Sequence, residues 1–118
     1  MIIKAEKICK IYFEGIKEKE LIVLDNLDFE MEKGKVVSIT GISGSGKSTL
    51  LHILGTLDKP NKGKIYFNGN DIGKLSDREL ARFRNRNIGF VFQFHHLLPE
   101  LTSIENVAMP MLISGKSY

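Results

Sequence analysis

"GISGSGKST" occupies Gly41–Thr49, between the apolar run "KVVSIT" (Lys35–Thr40) and the helix-like "LLHILG" (Leu50–Gly55). It fits the pattern G-x-x-x-x-G-K-[ST] with Gly41, Gly46, Lys47 and Ser48. The glycines let successive backbone N–H groups turn inward, where a Cβ would block the approach of an anion. The helix that follows points its free N–H groups and its positive dipole end at the same anion. Lys47 can reach the β- and γ-phosphates of a nucleotide, the Ser48 hydroxyl can ligate Mg²⁺, and Thr49 adds a contact near the α-phosphate. A glycine-rich surface turn is the bland alternative. The flanks argue against it, because a strand before and an apolar helix after are the context this motif requires.

Working outward, "KVVSIT" reads as a buried strand without alternation, suited to the centre of a sheet covered on both sides. The N-terminal part reads differently. Ile2–Phe13 is strand-like, "EGIKEKE" (Glu14–Glu20) reads as an exposed turn, and in "LDFEMEKG" the apolar Leu27, Phe29 and Met31 alternate with Asp28, Glu30 and Glu32. That period of two predicts an antiparallel strand with one wet face. Beyond the glycines, Ser48–Leu54 reads as a short helix ending near Gly55, and Lys64–Gly69 as a strand closed by an Asn-Gly turn. Ser76 with Glu79 forms a capping box for a helix to Asn85, flanked by Leu75 and Leu80 as a staple, with Leu80 and Phe83 facing inward. "IGFVF" (Ile88–Phe92) reads as another strand. Thr102 with Glu105 opens a last helix that Pro110 is expected to kink.

The 118 residues suit one small domain. A net charge of +3 is too mild to assign an anionic partner. Cys9 is the sole cysteine, which excludes an internal disulfide, favours a reducing compartment and suits a small buried side chain. No stretch approaches the roughly 18 apolar residues of a membrane span, and the N-terminus lacks the apolar core of a signal peptide. His95 and His96 are adjacent and point apart, with no ligand partner at metal spacing, and His52 reads as a packing or surface residue. "RFRNRN" (Arg82–Asn87) lacks aromatic platforms beside it and reads as a solvated helix end, so no nucleic-acid partner is expected.

The cradle alone fits a GTPase, a kinase, a motor or a transporter ATPase. With strand-rich sequence before it, including Tyr12, and "IGFVFQ" after it, the chain resembles the ATP-binding cassette (ABC) ATPases. "FQFHHLLPELTSIENV" (Phe92–Val107) looks like the ATP-binding subunits of lipoprotein-releasing systems and, more broadly, the macrolide-export group.

The resemblance implies an α/β fold: an antiparallel β subdomain, the first strand–phosphate loop–helix of the nucleotide-binding core, and the start of a helical subdomain. It implies that ATP and Mg²⁺ are bound, with Tyr12 stacking on the adenine and Gly41, Ser43, Gly44, Ser45, Gly46, Lys47, Ser48 and Thr49 forming the nucleotide site. Lys47 and Gln93 would be catalytic, Ser48 and Gln93 would hold the metal, and His95–Pro99 would receive a helix of a membrane subunit. The implied partners are transmembrane permease subunits and a second ATP-binding subunit in a head-to-tail dimer, at the cytoplasmic face of the bacterial inner membrane. Only a partial ABC domain (residues 1–118) is implied, since no LSGGQ-type signature, apolar strand ending in Asp-Glu or switch histidine is present. By itself such a chain is expected to bind nucleotide weakly and turn over negligibly. The readings left open beside this one are a non-hydrolytic nucleotide-binding module and a soluble ABC ATPase acting on nucleic acid or ribosomes.

Overall fold

The computed structural model describes residues 2–15 and 19–117, and the centre of the predicted Glu14–Glu20 turn lies outside them. The chain forms two compact units, one ending at Leu75 and one beginning at Ser76. The first is built on an antiparallel hairpin of β1 (Ile3–Glu14) and β2 (Lys19–Met31), in register from Ile3 opposite Met31 to Glu14 opposite Lys19. The alternation is realised: Leu27, Phe29 and Met31 are half-buried while Asp28 and Glu30 are exposed. The pairing is interrupted by bulges between Ala5 and Ile11. Lys7 takes a left-handed φ of 50° there, and its displaced amide donates to Asp28 Oδ1 at 2.8 Å. A bulge that would orphan a backbone donor is thus satisfied by a wet-face carboxylate.

β3 (Lys62–Phe67) pairs with the other edge of β1, and β4 (Asn70–Asp71) completes the order β2-β1-β3-β4. Gly63 makes the β1–β3 approach possible. It has φ +98°, and a Cβ on it would lie 2.5 Å from the Glu6 carbonyl oxygen and 2.8 Å from Ile8 Cα. The predicted Asn-Gly turn joins β3 to β4, with Asn68 and Gly69 both at positive φ as a type I′ hairpin requires. A 3-10 turn (Ile72–Lys74) follows. Helix α1 (Lys47–Leu54) buries Leu50, Ile53 and Leu54, the i, i+3, i+4 stripe of one face, in a core with Ala5, Ile8, Leu24, Ile65, Phe67 and Ile72. Ile8 and Ile53 are fully enclosed. Each such side chain contributes about 1.5–3 kcal/mol of transfer free energy.

The second unit contains α2 (Asp77–Asn87) and α3 (Ser103–Ile113). Both predicted capping boxes form: Glu79 N donates to Ser76 Oγ while Ser76 N donates to the Glu79 carboxylate, and Glu105 and Thr102 repeat the exchange. The bond from the capping amide, followed by that from the hydroxyl, holds each glutamate below the usual carboxylate range. α3 carries its helical assignment through Pro110 to Ile113, so the proline does not end it.

Two predicted strands are not formed among the described residues. Lys35–Thr40 belongs to no sheet among the described residues, with Val36 97% and Val37 46% exposed. Ile88–Phe92 is likewise unpaired, and Val91 is fully exposed. A continuous apolar strand acquires its ladder from parallel neighbours and its cover from crossover helices, and the described residues supply neither. Smaller differences follow: α1 begins at Lys47 rather than Ser48, β2 takes in Lys19 and Glu20 from the predicted turn, and Cys9 is half-buried, accepting from the Asn26 amide at 3.3 Å.

Candidate functional site

The cradle is built by one tight turn and one helix start. Ser45 N donates to the Ile42 carbonyl at 3.2 Å, Gly44 takes φ +81°, and Gly46 takes φ +94° as the N-cap of α1. A Cβ on Gly46 would sit 3.0 Å from Val23 Cγ1 and 3.1 Å from the Val23 carbonyl, so the loop lies close against β2, where a side chain at this φ would be both crowded and strained. The first α-helical bond runs from Leu50 N to Gly46 O, and no side chain caps the helix. The amides of Lys47, Ser48 and Thr49 therefore precede any i−4 partner, which leaves donors and the positive end of the dipole for an anion.

Lys47 curls back across the loop. Its Nζ donates to the carbonyls of Gly41 and Ile42 at 2.7 Å each and approaches Ser45 Oγ at 3.4 Å. An ammonium held by neutral carbonyls at the mouth of a donor-rich loop is a group that phosphate oxygens can recruit, since charge-assisted bonds are about twice as strong as neutral ones. Ser43 and Ser48 are exposed and Thr49 is half-buried.

Tyr12 belongs to a second cluster in the same unit. Its hydroxyl donates to Asp58 Oδ2 at 3.1 Å, and the Lys10 ammonium stands over its ring, 5.2 Å from the centroid. Lys10 Nζ also reaches Asp58 Oδ1 at 3.0 Å and the Lys59 carbonyl at 2.8 Å. Partial burial pushes the Asp58 carboxyl up, but bonds from Lys10, the Lys59 amide and Tyr12 outweigh it and hold the group below its ordinary value. Tyr12 remains 38% exposed.

Gln93 lies in the other unit, exposed, in the segment between α2 and α3. That segment is tied down by Asn106, on the first turn of α3. Its carboxamide accepts from Leu98 N at 2.9 Å and donates to the carbonyls of Leu98, Leu101 and Thr102. One amide side chain thus does for a loop what a neighbouring strand would do. His96 rests on the Phe92 ring at 4.3 Å between centroids, and Phe92 stacks on Phe90 at 5.4 Å. Among the described residues no group of three or more His, Cys, Asp or Glu side chains could hold a metal ion.

A family model described as "ABC transporter" matches residues 24–117. The chain belongs to the ABC transporter family. Among proteins of this family it is 60% identical over 100 residues to a lipoprotein-releasing system ATP-binding protein, LolD, of Nitratidesulfovibrio vulgaris, covering 85% of this chain and 43% of that protein. A LolD of Xanthomonas campestris pv. campestris is 51% identical over 115 residues, covering 98% of this chain and 47% of that protein. The fold matches a dimeric bacterial ABC transporter cassette, MJ0796, with TM-score 0.91 and 41% identity over 99% of this chain and 50% of that one. A post-hydrolysis form of that cassette bound to ADP and Pi matches with TM-score 0.90 at 40% identity, again over 99% of this chain and 50% of that one. The chain spans about half the length of the ABC relatives it matches.

The structure thus gathers Gly41, Ser45, Gly46 and Lys47 into one loop, attaches Tyr12 to Asp58, and leaves Gln93 in the second unit. Lys10, Asp58 and Asn106 were not singled out from sequence. Lys10 and Tyr12 share a face of β1 by period two, which was a legible hint; their link to Asp58, 46 residues beyond Tyr12, was not.

Proposed function

We propose that this chain carries the phosphate- and base-binding part of an ABC transporter ATP-binding subunit. The complete subunit, as a dimer, hydrolyses MgATP to drive a membrane permease, with lipoprotein release from the bacterial inner membrane as its task. The observation that carries this reading is the cradle: a glycine loop pressed on β2, an uncapped helix start, and a lysine folded back over them. Lys47 would exchange the Gly41 and Ile42 carbonyls for β- and γ-phosphate oxygens. The amides from Gly46 to Thr49 would bind the remaining oxygens, and the Tyr12 ring would stack on the adenine.

Within the cradle, the Ser48 hydroxyl, exposed at the second position of α1, would be a protein ligand of a bound Mg²⁺. The ion supplies positive charge against the charge that develops on the phosphates. Gln93 would orient water, and His95–Pro99 would meet the permease. The relatives named as lipoprotein-releasing ATP-binding proteins support the cargo, and the dimeric cassette supports the pairing. A peripheral position at the cytoplasmic face accords with the described residues, none of whose helices is long and apolar enough to cross a membrane.

The test is MgATP binding and phosphate release by the full-length chain with and without Lys47→Ala. The substitution is expected to weaken MgATP binding about 10- to 100-fold, the worth of charge-assisted bonds, and to abolish release. Equal binding and release by the variant would overturn the reading. For the cargo, depletion of the protein should leave outer-membrane lipoproteins in the inner membrane, and normal sorting would exclude that task.

A further inference from the structure

We propose that Asp58 is a positioning residue for Tyr12, setting the ring as the platform on which the nucleobase stacks; the inference rests on the nucleotide-binding reading of Tyr12. The two carboxylate oxygens are divided between two partners on one face of β1: Oδ1 takes the Lys10 ammonium and Oδ2 the Tyr12 hydroxyl. The hydroxyl bond fixes the tip of the ring and the ammonium stands over its surface, so ring position is defined by two contacts that share one carboxylate. The ring of a residue 38% exposed, otherwise free to turn about two side-chain torsions, would lose stacking to that freedom.

Asp58 is itself anchored. Its amide donates to the His52 carbonyl in the last turn of α1 at 3.2 Å. Because α1 starts at Lys47 and is about 12 Å long, one short helix connects the phosphate-binding lysine to the residue that holds the base platform. The loop does not need Asp58 to stay on β1. Asn61 does that separately, its amide donating to the Cys9 carbonyl and its side chain accepting from Ile11 N, both at 2.8 Å. The Asp58 carboxylate is thus spent on Lys10, Tyr12 and its neighbouring Lys59 amide, beyond what holds the loop.

The experiment is isothermal titration of the full-length chain with MgATP and with magnesium tripolyphosphate, which has the phosphates and no base. The wild type is expected to prefer MgATP about tenfold, the worth of a base–aromatic stack. Tyr12→Phe keeps the ring and removes only the bond to Asp58. It and Asp58→Ala are each expected to weaken MgATP about three- to fivefold while tripolyphosphate stays within about twofold. Asp58→Asn, which keeps an acceptor for the hydroxyl, should restore most of the preference. An unchanged preference in Tyr12→Phe overturns the inference alone, and so does an equal loss for both ligands, which marks a purely structural role. A wild type that binds neither ligand overturns the nucleotide reading and this inference with it. If Asp58→Ala does not fold, Tyr12→Phe decides.

Discussion

The β1–β2 hairpin and the segment Lys35–Thr40 have similar apolar content and opposite fates. The second half of β2 alternates, from Leu27 to Met31, and β1 and β2 pair with each other as close neighbours along the chain, so the sheet closes with its own residues. Lys35–Thr40 is continuous, and Val36 stands 97% exposed. Period two asks for cover on one face. An unbroken apolar run asks for cover on both, from parallel neighbours that a hairpin cannot supply. Apolar content alone therefore says that a segment wants burial, while the period says how many other elements must arrive first.

The largest test of this contrast is Ile53→Ala on the self-covered side. Removing a fully enclosed side chain should cost about 3 kcal/mol in urea unfolding, and a loss under about 1 would show that the core is not as tight as its burial implies. Gly46→Ala comes next, because it introduces both a left-handed alanine and a Cβ against Val23; about 2 kcal/mol is expected, with phosphate-ligand affinity falling in parallel. Ser76→Ala removes one capping acceptor in the second unit and should cost about 1 kcal/mol, leaving the cradle's ligand affinity unchanged.

Acid titration gives a smaller effect. The folded Asp58 carboxyl lies below its ordinary value of 3.8, so the unfolded chain takes up its proton first as pH falls. The stability it contributes is present above the ordinary value and is lost as pH drops through the lowered one. Its side chain is 36% exposed, so about 0.5 kcal/mol is expected; Asp58→Asn should flatten the acid limb by that amount, and an unaltered limb would remove the assignment. The smallest effect should be Val36→Ala, within about 0.5 kcal/mol of zero in this chain. Made in a chain long enough to flank Lys35–Thr40 with parallel strands, the same substitution should cost about 1 kcal/mol, which would sharpen the comparison directly.

Much of the candidate site was legible because its grammar is local. The cradle is contiguous, so Gly41, Gly46, Lys47 and Ser48 could be assigned roles from spacing, and both capping boxes span only three residues. Tyr12 and Gln93 were reachable only through likeness to a family, since a lone tyrosine on a strand and a lone glutamine in a loop have no distinctive neighbours. Lys10, Asp58 and Asn106 escaped because each acts on residues whose proximity exists only after folding.

What the sequence by itself determined is therefore the alternating stretch of β2, the helix starts, the turn at Asn68-Gly69 and the glycine loop, all set by interactions within a few residues. Tertiary structure alone decided that the β1 bulge is repaired by Asp28, that Gly63 passes under it, and that Asp58 meets Tyr12. It also decided that Lys35–Thr40 and Ile88–Phe92 stay unpaired among the described residues. The physical reason is the same in each case: a hydrogen-bond partner or a covering surface far along the chain is a matter of where the backbone arrives, and no local pattern encodes it.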